Sequence, residues 1–228
     1  MPFDLVLYSA AADRTTEAAY RSAYVDGLKN VVESLAASGQ RPARLFFTSS
    51  TGVYGQSSGE WVDETSATHP SHFTGQTMLE AEAVCSTAPF PATIVRLAGI
   101  YGPGRTRLAD GVARGELHCY DSAPHYTNRI HRDDCAGFLA HVAELDHPER
   151  IYIGVDDEPT ETCTVLHWLA ERLAVPSPHR AGEAPATERG QRGGKRARNT
   201  RLVASGYRLR FPTFREGYGA LIDERGSS

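Results

Sequence analysis

Three short stretches of this chain are almost wholly apolar: LVLY at Leu5–Tyr8, RLFFT at Arg44–Thr48 and ATIVRL at Ala92–Leu97. A strand with one wet face alternates apolar and polar residues. A run that is apolar on both faces belongs inside a sheet covered from two sides. Between these runs the period lengthens. From about Thr15 to Ala37, the residues Ala19, Ala23, Leu28, Val31, Val32 and Leu35 recur at threes and fours, and Gly39 is placed to end a helix. Thr74–Ser86 reads as a second helix. Strand, helix, strand, helix, strand in that order points to a parallel α/β sheet with right-handed crossovers. All three strands are expected to be buried.

After Gly99 the pattern becomes irregular. GIYGPGRTR is a glycine- and proline-rich loop, followed by a short helix near Leu108–Arg114 and brief strands near Leu117–Tyr120 and Arg129–His131. A helix over Asp133–Leu145, a strand at Ile151–Val155 and a helix over Thr162–Leu173 come next. From Pro176 to Lys195 proline, glycine, alanine and charge dominate, so the stretch near 176–195 is expected to be flexible. Asn199 and Thr200 resemble the cap of a short helix ending at Gly206.

Composition excludes several classes of function. A formal net charge of -4 leaves no footprint for nucleic acid. The basic cluster from Arg192 to Arg201 reads as a solvated loop, because no aromatic residues interleave it. No apolar run approaches the roughly 20 residues that cross a bilayer. MPFDLVLYSAAADR lacks the positive start of a secretory signal. Cys85, Cys119, Cys135 and Cys163 form no CxxC pair, so neither a metal site nor a disulfide framework is expected, and reduced thiols fit a cytoplasmic protein. His118 and Cys119 read as ordinary strand residues.

The blocks that carry chemistry sit at strand ends and on the helices that follow. They are YSAAA (Tyr8–Ala12), YVDGLKNVVES (Tyr24–Ser34), TSSTGVYG (Thr48–Gly55), VRLAGIYGPG (Val95–Gly104) and NRIHRDDCAG (Asn128–Gly137). In this order they resemble the extended short-chain dehydrogenase/reductase superfamily, and within it the NAD(P)-dependent epimerase/dehydratase group. The resemblance runs from Phe3 to about Leu173, with a weaker match at RLVASGYRLRFPTFREG. It implies an α/β fold: a Rossmann-like parallel sheet in residues 1–115, N-terminally truncated, and a small C-terminal α+β substrate region in residues 116–228. It also implies NAD or NADP as cofactor and a nucleotide sugar or other small molecule as ligand. By position in the blocks, Ala10, Ala11, Ser49 and Gly99 would touch the cofactor, and Tyr54, Arg105, Arg107 and Arg129 the substrate. Arg96 and Arg129 read equally well as buried arginines paired with a carboxylate such as Asp133 or Glu80. His131, Asp133 and Asp134 read as residues that order a junction.

In the family a strand-end hydroxyl, a tyrosine and a lysine form the catalytic group. The hydroxyl is Ser50 here. Anchoring on MLEAE puts His72 at the tyrosine position and Gln76 at the lysine position. Gln76 has no charge with which to lower a neighbour's pKa, so the pair is absent or remodelled. The phosphate-cradling GxGxxG turn is also absent. LVLY matches the family's fourth strand, which becomes a sheet edge when strands one to three are removed from the order 3-2-1-4-5-6. That edge has no charge, proline or bulge to guard it, so a homodimer or another strand-pairing partner is expected. Three readings of function follow: a family member with impaired or lost cofactor binding and hydride transfer, a shortened product of an active nucleotide-sugar epimerase or oxidoreductase, or a non-catalytic partner that pairs through its strand.

Overall fold

The computed structural model describes residues 3–120, 125–182 and 194–226. β1 (Leu5–Tyr8) leads into a helical segment of three pieces: α1 (Glu17–Tyr20), a π-helical turn over Arg21–Asp26, and α2 (Gly27–Ala37). The Thr16 hydroxyl opens it by accepting from Ala19 N at 3.3 Å, and Gly39, at φ 71°, follows its end. The π turn has a visible cause. The Tyr8 hydroxyl donates to the Ala23 carbonyl at 2.6 Å, and Gly27 leaves the space for it, since a Cβ there would overlap the Tyr8 oxygen.

β2 (Arg44–Ser50), a 3-10 turn at Thr51–Val53, β3 (Trp61–Val62), α3 (Phe73–Ser86), β4 (Ala92–Leu97) and β5 (Gly99–Tyr101) come next. They are followed by α4 (Arg107–Ala113), β6 (Cys119–Tyr120), β7 (Tyr126–Thr127), β8 (Arg129–His131) and α5 (Arg132–Ala143). β9 (Ile151–Gly154), β10 (Thr160–Glu161), α6 (Thr162–Leu173), β11 (Arg180–Ala181), β12 (Arg196–Ala197), α7 (Thr200–Ala204) and α8 (Phe214–Gly226) complete the described chain.

The central sheet is parallel, in the order β1-β2-β4-β9. Alternation along the strands sends Leu45, Phe47, Ile94 and Ile153 to one face, where they meet Leu28 and Leu35 of α2 and Met78 and Ala81 of α3. Phe46, Val95, Leu97 and Tyr152 face the other way, onto Phe138 and Val142 of α5 and Leu202 of α7. A further core joins α4, α6 and α8 through Val112, Val165, Leu169, Phe214 and Tyr218.

Burial of the first strand is a correction to the sequence reading. Val6 and Tyr8 pack into the core, but Leu5 is 44% and Leu7 52% exposed. Leu7 is in register with Phe46, so it lies on the face that α5 covers farther along the sheet. Among the described residues, that cover stops at β2. The second strand also runs to Ser50 rather than Thr48, so Ser49 and Ser50 are strand residues.

The basic cluster near the C-terminus is a second correction. Its described part is packed rather than solvated. The Arg196 guanidinium lies 4.9 Å from the ring centroids of both Trp61 and Tyr126, and Arg198 lies 4.6 Å from Trp61. The aromatic partners come from distant parts of the chain, so the local sequence did not show them. Arg201 donates to Ile151 O at 3.0 Å. Arg192 lies outside the described residues. Within the stretch expected to be flexible, β11 pairs with β6, and Lys195 donates to Tyr54 O at 2.9 Å; residues 183–193 of it lie outside the described residues.

Candidate functional site

The carboxyl ends of β1, β2 and β4 open onto a cleft of about 420 Å³, the place where open parallel sheets bind ligands. Ser9, Ala10 and Ala11 follow β1 along one wall, and Thr48, Ser49 and Ser50 end β2. The Ser50 hydroxyl oxygen accepts from Gly52 N at 3.0 Å, which orients the turn and leaves its proton to donate into the cleft. Thr48 donates to Tyr8 O at 3.4 Å, tying β2 to β1.

Ser49 faces a buried charge network. Its hydroxyl donates to Glu82 Oε1 at 2.6 Å. Arg96 holds the same carboxylate through Nε at 3.0 Å and Nη2 at 2.7 Å, and donates through Nη1 to the Tyr54 hydroxyl at 2.7 Å. Arg96 is 5% and Glu82 6% exposed, so the pair is desolvated and every arm of the guanidinium is used. Its partner is thus Glu82, and not Asp133 or Glu80; Glu80 instead binds Arg21 at 2.6 Å. Burial pushes the Tyr54 phenol up to about 12, against the pull of Arg96. Tyr54 lines neither this cleft nor the cavity described below.

α3 forms the opposite wall. His72 caps it, its Nδ1 accepting from Thr74 N at 3.3 Å and lying 3.0 Å from the Thr74 hydroxyl. Gly75 packs against the loop that follows Ser50; a Cβ on Gly75 would overlap Gly52 O. The positions one turn apart that line the cleft are Thr74 and Met78. Gln76 is exposed, its amide donating to Pro70 O at 3.4 Å, and it does not line the cleft. The cleft-facing register is therefore two residues beyond the one that anchoring on MLEAE gives. Tyr20 and Tyr24, spaced by one turn across the π turn, complete the wall with ring centroids 5.1 Å apart. Neither tyrosine was foreseen from sequence; their spacing of four was the available signal.

A second cavity of about 600 Å³ lies beyond β5, lined by Gly99, Arg107, Asn128, Arg129 and Tyr218 among others. Ile100 and Arg105 line both spaces, so the two meet there. Of the residues singled out for cofactor contact, Ala10, Ala11 and Ser49 belong to the cleft and Gly99 to the cavity. Of those for substrate, Arg105 touches both, and Arg107 and Arg129 belong to the cavity. His131 has a structural role: it caps α5, with Nδ1 accepting from Asp133 N at 3.2 Å, and burial holds the imidazole below its ordinary value. Asp134 accepts from Tyr207, Arg210 N and Phe211 N, and so anchors the segment before α8.

The profile of the NAD dependent epimerase/dehydratase family matches residues 2–154, and the chain belongs to that family. A protein of Methylobacillus flagellatus assigned to the NAD-dependent epimerase/dehydratases is 38% identical, with a TM-score of 0.79 over 98% of this chain and 77% of that one. Protein YeeZ of Escherichia coli (strain K12) is 32% identical over 133 residues, 57% of this chain and 45% of YeeZ, so the match spans less than half of that relative. MoeE5, solved with UDP-glucuronic acid and NAD, shares the fold at 22% identity, with a TM-score of 0.80 over 99% of this chain and 80% of its own.

Proposed function

We propose that this chain is a ligand-binding member of the epimerase/dehydratase family that does not carry out hydride transfer assisted by a tyrosine and a lysine. The observation that carries this reading is the α3 wall, which presents Thr74 and Met78 beside Ser50, while no lysine lines either space among the described residues. Methionine cannot lower the pKa of a neighbouring hydroxyl by charge, and threonine ionises far above neutral pH. Nor does a lysine line the cleft, among the described residues, to hold the ribose of a nicotinamide cofactor.

What remains is a binding apparatus. Residues 1–115 supply the hydroxyl-lined cleft, and residues 116–228 supply Asn128, Arg129 and Tyr218 of the cavity. Ser50 donates to a ligand oxygen, Ala10 and Ala11 let a flat group approach the backbone, and Arg105 and Arg107 offer charge to an anionic one. His72 is a candidate proton carrier beside Ser50, with Gln76 outside the cleft. A nucleotide sugar of the kind MoeE5 binds has this combination of hydroxyls and phosphates. The chain is read as cytoplasmic, in keeping with its four free cysteines; no helix among the described residues is long and apolar enough to cross a membrane, and no group of metal-ligating side chains occurs among them.

A second reading is favoured by the length of the relatives: these residues belong to a longer, active NAD(P)-dependent nucleotide-sugar epimerase or oxidoreductase. Calorimetric titration of the chain tests the first reading. The proposal expects no saturation by NAD or NADP up to about 1 mM, with UDP-glucuronic acid binding retained. Micromolar binding of either dinucleotide would overturn it.

A further inference from the structure

Two of the four free cysteines are brought together by the core that joins α4, α6 and α8. Cys119, in β6, is 2% exposed, and Cys163, in the first turn of α6, is half-buried and packs against the same core. Cys163 and His167 stand one turn apart on α6 and so share a face of that helix. His167 Nε2 lies 3.6 Å from Cys119 Sγ, which places the buried thiol against that face. The two thiols are near enough to act on one another: burial, and then Cys163, push the Cys119 thiol up to about 12. Neither cysteine lines the cleft or the second cavity. Cys85 and Cys135, by contrast, are buried among apolar side chains in the two cores that flank the central sheet.

The imidazole is held from its other side. His167 Nδ1 is 2.6 Å from the Ser177 hydroxyl, and both residues are exposed. In the tautomer whose Nδ1–H donates to Ser177, Nε2 presents a lone pair to the Cys119 thiol. A half-buried thiol beside a buried one that has its own base is the arrangement of a two-cysteine redox site. One sulfur is reached by the oxidant and the other resolves it.

We propose that Cys163 and Cys119 form a reversible disulfide on exposure to hydrogen peroxide, with His167 as the base of the closing step. The proposal is independent of the ligand-binding reading. The Cys163 thiolate attacks the peroxide: an S–O bond forms, the O–O bond breaks, and the departing hydroxide takes up the proton that Cys163 gave to solvent, leaving a sulfenic acid and one water. The Cys119 sulfur then attacks the Cys163 sulfur while its proton passes to His167 Nε2. The S–S bond forms, the S–O bond breaks, and the departing hydroxide takes that proton as a second water. Two thiols lose two electrons and one peroxide gains them. Burial keeps Cys119 a thiol, so Cys163 is the sulfur oxidised first. The bond fastens β6 to the first turn of α6, from which Thr162 and Val165 line the second cavity.

The test is peroxide treatment of the full chain at micromolar concentration, then alkylation in urea with iodoacetamide and mass spectrometry of the peptides. Two of the four thiols are expected to disappear, in a peptide pair that joins Cys119 to Cys163 and is released by dithiothreitol, while Cys85 and Cys135 remain alkylated. Cys163→Ser is expected to abolish the loss. Cys119→Ala is expected to halt the reaction at a sulfenic acid that dimedone traps on Cys163; should this variant fail to fold, the wild-type peptide pair decides. His167→Gln, at an exposed position, is expected to slow closure about tenfold and to leave the rate of Cys163 oxidation within about twofold, a split that a packing role would not produce. Four alkylated thiols after peroxide, or disulfides only between separate chains, overturn the proposal. Dimedone found on Cys119 instead of Cys163 overturns the order of attack, and equal closure rates in wild type and His167→Gln overturn the role of the histidine.

Discussion

The two edges of the central sheet are finished in opposite ways. At the β9 edge, the Glu64 carboxylate accepts from Ile153 N at 3.0 Å, Arg201 donates to Ile151 O at 3.0 Å, and Asn199 donates to Val155 O at 3.3 Å. Side chains from a loop and from the C-terminal segment thus take the place of a neighbouring strand. At the β1 edge, among the described residues, the Gln40 side chain accepts from Phe3 N at 3.1 Å ahead of the strand, and Phe3, Leu5 and Leu7 are 57%, 44% and 52% exposed. A bare backbone edge beside an apolar face invites another strand and another layer. The contrast is between an edge whose outward groups are taken by side chains and one whose apolar residues meet water.

The largest expected effect comes from the β9 side, where protection is accompanied by a buried acid. Burial lifts the Asp156 carboxyl from an ordinary value near about 4 to about 8, so the folded chain holds a proton that the unfolded chain releases. The stabilisation is complete below about pH 4 and is lost as pH rises through about 8. Asp156→Asn should therefore raise stability on the order of 4 kcal/mol at about pH 8 and leave it nearly unchanged at about pH 4. Urea unfolding of both proteins across this range checks the sign; parallel curves would contradict it.

Glu64→Ala should come second. It strips the acceptor from Ile153 N in a site where Glu64 is 8% exposed, at a cost of about 3 kcal/mol in urea unfolding at neutral pH. Leu5→Ala, the matching truncation on the bare edge, should cost less than about 1 kcal/mol. Equal losses would mean that the two edges are not different in kind. The smallest change in monomer stability, within about 0.5 kcal/mol, is expected for the double substitution Leu5→Lys and Leu7→Lys, since both side chains already meet water. Its effect should appear in association instead. Light scattering at high concentration should show the wild type larger than a monomer and the double variant shifted towards one. A wild type that stays monomeric removes the argument for pairing through β1.

How much of this was legible in the sequence depended on how local the cause was. The strand at Ala92–Leu97 and the helix at Thr162–Leu173 follow their apolar patterns residue for residue. That β1 forms an edge followed from strand order, whereas its half exposure did not, because LVLY carries no mark of which face will lack a helix. The site divided along the same line. Ser50 and the alanines after β1 follow from their place at strand ends. Thr74 and Met78 were missed because two alignments of α3 differ only in whether Glu80 or Glu82 meets Arg96, and that is decided by packing. The Trp61, Arg196 and Tyr126 stack joins three distant segments, and no window of sequence contains it.

The π turn at Arg21–Asp26 fixes an angular relation within one helical segment. One residue more than an α-helix requires rotates everything before the turn by about 100° relative to everything after it. α2 stays keyed to the sheet through Leu28 and Leu35, while the piece before the turn is free to be set by the needs of the cleft. Deleting a single residue between Arg21 and Asp26 would leave the sheet contacts of α2 in phase and rotate Tyr20, with the rest of α1, relative to the sheet. The shape of the cleft is thus adjustable by chain length in one turn, independently of the core that supports it.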